Sequence, residues 1–390
     1  MSYAKASARL RPLRWTALFQ GLMFWYSIEK LFYSSIELSD AQIAMTGIIL
    51  SGVMLVLQVP SGVMADRWGR KHMLQLSNAL LAASSIVGAV ATGPMMAYVC
   101  AGLWGAYSAI GGGISEALVY DVLEEETGSG EGFERLYGRL AAWSGAAAVA
   151  GAASGSLVAE LLGLRAAYWV SVPFVLFAAI AIARFHEPTV HLVAPKLRLA
   201  THVGQTLKAA VHSRPVILLV IAAAILAMLV RIVFNLSPLW YLWLSAPTLL
   251  YGPAFAVLES SSIFAGLAAP FMRRRIPLLV IVIMLACIPL VVISPLLVVI
   301  GVQAVLLVGY GILQIILGRQ LHDLLPSNVR AGAGSTVAML AQIAVIPATF
   351  AFGYLSDTYS PFTAGWIIVA ITLIGLLFTV TSLRSSRSGH

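Results

Sequence analysis

The sequence predicts an all-α integral membrane protein with twelve transmembrane helices in two six-helix bundles and cytoplasmic N- and C-termini. Three observations predict it. Only 10% of the 390 residues are charged and the mean hydropathy is +0.91, too little charge to cover a soluble surface. Apolar runs of about 20 residues, enough for a helix to cross the hydrocarbon core, recur along the whole chain. With the N-terminus inside, all of the 24 Lys and Arg residues except Lys30, Arg165 and Arg231 fall in inner segments, the asymmetry that orients membrane proteins. A wrong helix count would scramble this bias, so it supports the count as well.

The runs lie near 14–34, 42–62, 73–92, 95–119, 140–161, 166–184, 215–237, 246–269, 276–294, 296–318, 332–355 and 362–383. Strand-type alternation is absent, which excludes a β-barrel. The basic start MSYAKASARLRPLRW leads directly into the first run with no small-residue cleavage site, so a retained first helix is expected rather than a signal peptide. The longest polar connection divides the chain into an N-terminal six-helix bundle, 1–185, a cytoplasmic linker, 186–214, and a C-terminal six-helix bundle, 215–390. Within the linker Leu199, Val203, Leu207 and Val211 share one helical face. Two readings stand there: an amphipathic helix on the inner membrane surface, or a solvated linker with accidental periodicity.

Several function classes are disfavoured. Cys100 and Cys287 lie in apolar runs and read as small hydrophobes. The seven His residues show no HxxxH or HExxH spacing, so neither a metal nor another cofactor is expected. No nucleophile elbow or nucleotide-phosphate loop occurs, which argues against an enzyme and against ATP-driven transport. The net charge of +8 is explained by anionic inner-leaflet lipid, without nucleic acid.

The most informative stretch is GVMADRWGRK, from Gly62 to Lys71, which sets four charges between two apolar runs. Looser echoes begin at Gly155 (GSLVAELLGLR), Gly266 (GLAAPFMRRR) and Gly353 (GYLSDTYS), each at the end of the second helix of a three-helix unit. The chain therefore reads as four three-helix repeats, the layout of a rocking transporter. Gly62 and Gly69 permit close backbone approach. Asp66 is expected to face the N-terminus of the eleventh helix near Gly332, where the helix dipole favours a carboxylate, and Arg70 to reach Asp121 at the inner end of the fourth helix. Arg67, Arg70 and Lys71 also anchor topology.

The pattern Gly62-x-x-x-Asp66-Arg67-x-Gly69-Arg70-Lys71 closely resembles the signature loop of the major facilitator superfamily, between helices two and three on the cytoplasmic side. The resemblance implies a gating role for Gly62, Asp66, Arg67, Gly69, Arg70, Lys71 and Asp121, latching the halves while the site faces outward. In the second half Pro270 stands where Asp66 would be, which implies an asymmetric gate. Within the family the chain looks most like the twelve-helix drug:proton antiporter group, with two departures. Tyr107 or Ser108 stands where the fourth helix of many members carries Arg, and Ala152 replaces the Pro of the antiporter motif in helix five, beside Gly151 and Gly155.

Ionisable groups inside spans are functional candidates because inserting one costs roughly 2.5–3.5 kcal/mol or more. They are Glu29, Lys30, Glu116, Arg231 and Glu259. Glu29 and Lys30 point about 100° apart on a helix, so one is expected to face a cavity and the other to snorkel outward. Arg231 and Glu259 are read as mutual partners. Glu116 follows three glycines that are read as thinning helix four, and a buried Glu116 serves either as a proton carrier or as a packing hydrogen bond. Asn235 is among the sparse polar candidates for a substrate. Tyr26, Trp104, Tyr107 and Trp143, with Phe24, Trp25, Trp240 and Tyr241, either line an adaptable cavity or form interfacial belts.

The expected activity is secondary transport of a small molecule across the cell membrane, as proton-coupled efflux (antiport) of an amphipathic or drug-like compound by a monomer. The alternative within transport is uptake of a sugar or organic acid. A receptor would leave the signature loop and repeats unexplained.

Overall fold

The computed structural model describes residues 3–188, 214–324 and 330–385, with the side chains of Val59, Asp66, 330–333, 335 and 384–385 excepted. No strand occurs among the described residues. The helices of the first part are α1 (Tyr3–Arg9), α2 (Arg11–Gly21), α3 (Glu29–Ser35), α4 (Asp40–Trp68), α5 (Arg70–Val90), α6 (Pro94–Gly111), α7 (Ile114–Thr127), α8 (Phe133–Leu162) and α9 (Leu164–Ala183). Those of the second part are α10 (Arg214–Trp243), α11 (Thr248–Met272), α12 (Ile276–Cys287), α13 (Leu296–Leu324), α14 (Arg330–Thr358) and α15 (Pro361–Ser385), with a 3₁₀ turn, Ile288–Leu290, continuing α12.

Local chemistry sets many boundaries. Ser39 and Gln42 form a reciprocal capping box before α4: the Ser39 N–H donates to Gln42 Oε1 at 3.0 Å and the Gln42 N–H to Ser39 Oγ at 3.4 Å. Ser360 Oγ accepts the Thr363 N–H at 3.1 Å, and Pro361 opens α15 where its missing N–H does no harm.

Among the described residues, nine helices are long and apolar enough to cross a membrane: α4, α5, α8 to α11, and α13 to α15. Three sequence runs are not among them. The first divides into α2 and α3, the fourth into α6 and α7, and the ninth is the short α12. Large apolar side chains stand outward, with Met95 74% and Phe271 75% exposed, as suits a surface solvated by lipid rather than water.

Packing divides the chain into two compact units. The first comprises Met1–Leu38, Ile49–Pro195 and Pro247–Ala256; the second comprises Ser39–Ile48, Lys196–Ala246 and Val257–His390. In the first, α2 packs against α8 and α9, and α5 against α6 and α9. Its core joins Leu10, Leu13, Met73, Leu118, Leu136 and Phe185. In the second, α10 is buried along most of its length and packs against α13, α14 and α15. The face containing Leu199, Val203, Leu207 and Val211 lies outside the described residues.

Candidate functional site

The signature stretch is almost wholly helical. α4 continues to Trp68 and α5 begins at Arg70, leaving Gly69 as the only non-helical residue between them. Gly69 has φ +89°, a conformation that an L side chain adopts only under strain. A Cβ there would also meet Glu187 Oε2 at 2.9 Å. Glu187 caps α5: its Oε1 accepts the Arg70 backbone N–H at 2.5 Å, satisfying a donor that the helix leaves unpaired. The Arg70 guanidinium forms an ion pair with Asp121 Oδ2 on α7, both side chains largely buried. Arg9 closes the network, donating through Nη1 to Glu126 at 3.0 Å, Nη2 to Glu125 at 3.4 Å, and Nε to the His186 carbonyl at 3.3 Å.

The structure brings Arg70 and Asp121 together, while Arg67 is exposed and Lys71 half-buried. The Asp66 side chain lies outside the described residues. The reading of Gly62 as a close-approach position is corrected: a Cβ there would find no neighbour within 4 Å, and the same holds for Gly266. The other two echoes are tight. A Cβ on Gly155 would collide with the Phe24 carbonyl oxygen, and one on Gly353 with Ala44.

The first break, residues 22–28 between α2 and α3, lies against α8. Gly151 leaves room for Met23 N, 2.9 Å from where its Cβ would be. One freed backbone group finds a partner, the Phe24 N–H donating to Ser171 Oγ at 3.0 Å, and the Ser27 side chain anchors the segment by donating through Oγ to the Ala152 carbonyl at 2.9 Å. The small residues of α8 thus accept an unwound backbone, and Ala152 in place of Pro contributes its carbonyl.

The second break corrects the reading of helix four as glycine-thinned. The glycines interrupt the helix: α6 ends at Gly111, and Gly113 in the left-handed region (φ +74°) precedes α7. Glu116 therefore occupies the first turn of a new helix, and its side chain is exposed rather than buried. Beside this break, a cavity of about 200 Å³ is lined by Gln58, Ser61, Ser108 and Gly112, among others.

Aromatic rings join the two breaks. Tyr26, within the first, stacks on Trp104 of α6 at 5.2 Å and 26°, and meets Phe255 edge-on at 4.9 Å. Trp104 contacts Tyr107 at 5.3 Å. Behind them Trp25 is buried, stacked on Tyr168 at 4.9 Å and 6°, with its indole N–H donating to Ser85 Oγ at 3.1 Å. Trp143 is corrected out of this group. It is 48% exposed and packs edge-on against Trp15 at 6.2 Å, because its place on α8 faces the start of α2 instead of the break.

Two ionisable pairings differ from expectation. Glu29 and Lys30 pair with each other, Nζ to Oε2 at 2.7 Å, with Nζ also 5.6 Å from the Tyr33 ring centre. The 100° separation is overcome because the lysine stem is long enough to bend back, and joint burial rewards mutual neutralisation. Among the described residues no ion pair joins Arg231 to Glu259. Neighbours in sequence need not pack together, and α10 presents itself to α13, α14 and α15. Asn235 is exposed and donates to the Arg231 carbonyl at 2.8 Å.

Three features escaped the sequence reading. Glu187 and Arg9 lie in segments read as linker and basic start. Asp40 Oδ2 accepts a hydrogen bond from Ser356 Oγ at 2.5 Å, beside the tight approach at Gly353; the signal was an acid at a helix start and an echo glycine near the end of another. Among the described residues no cluster of three His, Cys, Asp or Glu side chains offers a metal site.

The fold has many solved counterparts. It is similar to the nucleoside transporter NupG, with a TM-score of 0.76 at 13% identity over 97% of this chain and 98% of that one. It is also similar to a D-xylose-proton symporter, TM-score 0.67 at 15% identity over 97% of each chain. A bacterial homologue of the iron transporter ferroportin, in an inward-facing state, gives 0.68 at 12% identity over 98% of this chain and 99% of that one. No curated protein matches the sequence. The sequence profile of the Major Facilitator Superfamily, however, matches residues 14–346, and with that match spanning most of its length, the chain belongs to the Major Facilitator Superfamily.

Proposed function

We propose that the chain is a secondary active transporter that moves a small amphipathic molecule across the cytoplasmic membrane by alternating access. It crosses the membrane twelve times with both termini cytoplasmic, works as a monomer, and couples export to protons. The observation that carries the reading is the stacking of Tyr26 on Trp104, which joins the first break to the helix that ends at the second. The two breaks occur in the leading helix of the first and second three-helix repeats. Interrupted helices at corresponding positions of two repeats are where transporters place their substrate, because only there are backbone groups free to bind it. Flat rings suit a ligand with an apolar or π face. The Arg70–Asp121 pair, with the Glu187 cap, serves as part of the gate, and Glu116, on the first turn of α7, is the proton carrier.

Uptake in symport with protons is the second reading. It is favoured by the three polar side chains, Gln58, Ser61 and Ser108, that border the cavity beside the second break, and one structural neighbour is named a D-xylose-proton symporter. Proteoliposomes with an imposed pH gradient, tested in both directions across a panel of drug-like compounds, nucleosides and sugars, separate the two. Export driven by the gradient supports the first reading. Substrate movement indifferent to the gradient refutes proton coupling in either direction.

A further inference from the structure

The first unit carries a groove between α2 and α9 that none of the transport machinery uses. Its volume is about 450 Å³. One end is basic, formed by Arg11 at the start of α2 and Arg184 at the end of α9. The remainder is apolar: Trp15 and Phe19 on one wall, Phe177 and Ile180 on the other. Phe19 stacks on Trp15 at 5.8 Å and meets Phe177 at 5.6 Å, while Trp15, Phe177 and Ile180 stay 49–51% exposed.

The two arginines differ from three others of this end of the unit. Arg9 and Arg70 are neutralised by carboxylates, and Arg14 donates to the Ser7 carbonyl and hydroxyl. Arg11 and Arg184 are exposed, and among the described residues neither makes an ion pair or a hydrogen bond. Nearby cations add to their field: Arg14 lies within electrostatic range of both Arg11 and Arg139. A second recess of about 190 Å³, bordered by Arg11, Arg14, Trp15 and Trp143, adjoins the groove. This end therefore presents uncompensated positive charge at the mouth of an apolar channel.

We infer that this groove is a binding site for one anionic glycerophospholipid of the inner leaflet. Arg11 and Arg184 hold the phosphate, and an acyl chain lies along Trp15, Phe19, Phe177 and Ile180. The dimensions agree. Arg11 precedes Phe19 by eight residues and Arg184 follows Phe177 by seven, so each wall drops about 10–12 Å from cation to ring at 1.5 Å per residue. That is the fall from a phosphate through the glycerol ester into the upper acyl chain. A free phosphate would satisfy the arginines but leave the aromatic walls uncovered, whereas a lipid answers both chemistries. The inference rests on the membrane reading of the chain but not on the direction or substrate of transport.

The test uses the full-length protein in detergent, read by native mass spectrometry during titration with phosphatidylglycerol or phosphatidylcholine. Wild type is expected to retain one phosphatidylglycerol more tightly than phosphatidylcholine. The double variant Arg11→Gln/Arg184→Gln is expected to bind it about 30-fold more weakly, from roughly fivefold for each charge removed and its screening lost. Ile180→Asn, which makes the channel wall polar and brings no charge to Arg184 four residues on, is expected to weaken it too. Arg273→Gln/Arg274→Gln, which removes two cations elsewhere on the surface, is expected to leave it unchanged. The inference is overturned if the Arg11/Arg184 variant keeps wild-type retention, if the Arg273/Arg274 variant loses as much, or if glycerol phosphate displaces the lipid at equal concentration. Binding in detergent needs no transport, so a wrong substrate or direction leaves this result intact.

Discussion

Gly155 offers the sharpest trial of how the first break is held. Its virtual Cβ would overlap the Phe24 carbonyl oxygen and come within 2.8 Å of the carbonyl carbon and 3.0 Å of Ser27 Oγ. Two of these atoms are backbone and cannot rotate aside, so Gly155→Ala must push the unwound segment away from α8. That movement stretches two bonds anchoring the segment, Phe24 N–H to Ser171 and Ser27 Oγ to the Ala152 carbonyl. Overpacking of this kind costs about 1–3 kcal/mol. Gly145, on the same helix, has no neighbour within 4 Å of its virtual Cβ. There the same substitution is expected to stabilise by up to about 1 kcal/mol through helix propensity alone. The two variants should therefore differ by roughly 1.5–4 kcal/mol in denaturant titrations of the purified protein, with Gly155→Ala the less stable. Gly155→Ala should also slow transport, because Tyr26 belongs to the displaced segment. If it is as stable as Gly145→Ala, the close approach is not what holds the break open.

Two further outcomes follow from geometry already described. Arg70→Ala and Asp121→Ala should each reduce transport and stability, and the double variant should fall short of their sum by roughly 0.5–3 kcal/mol, as expected for a contacting pair; full additivity would show that the pair contributes nothing. Tyr26→Ala should raise the half-saturating substrate concentration about tenfold, within the range for lost ring stacking, while Trp366→Ala, at an outward-facing ring, should not. Equal effects from both would remove the aromatic site.

What the sequence disclosed depended on how local the cause was. Each of the twelve apolar runs corresponds to helical structure, because hydrophobic length is a property of the run itself. The Arg70–Asp121 pairing was also legible, since both residues lie at the same end of neighbouring helices. The first break was not. Its sequence, LMFWYSI, contains neither Gly nor Pro, and the helix yields there because Gly151 and Gly155 leave room for it while Ser171 and the Ala152 carbonyl on other helices offer it hydrogen bonds. The glycines of the second break were visible, but whether three glycines thin a helix or end it depends on the φ of Gly113, which composition does not determine. Glu187 was hidden for a similar reason: its partner is a backbone N–H, which leaves no pattern in the sequence.

Glu116 brings these strands together. Had α6 and α7 been continuous, this carboxylate would have been a buried group in mid-span. The break places it instead on the first turn of α7, exposed, where the helix dipole favours negative charge. It stands one and a half turns from Asp121, which is committed to Arg70. An exposed carboxylate beside a break can meet water in one state and lose it in another, which is what carrying a proton requires. Glu116→Gln keeps the shape and removes the titration. Substrate exchange between the two sides should survive, because it needs no net proton movement, while accumulation driven by a pH gradient should fall at least tenfold. Gly113→Ala gives an independent check. Holding a residue with a side chain at φ +74° costs about 1–2 kcal/mol, so the break should shift and coupling should weaken even with Glu116 intact. If Glu116→Gln still concentrates substrate at the normal rate, the coupling group is another acid. Glu29 is already paired with Lys30, so Glu259 on α11 would be the next to replace.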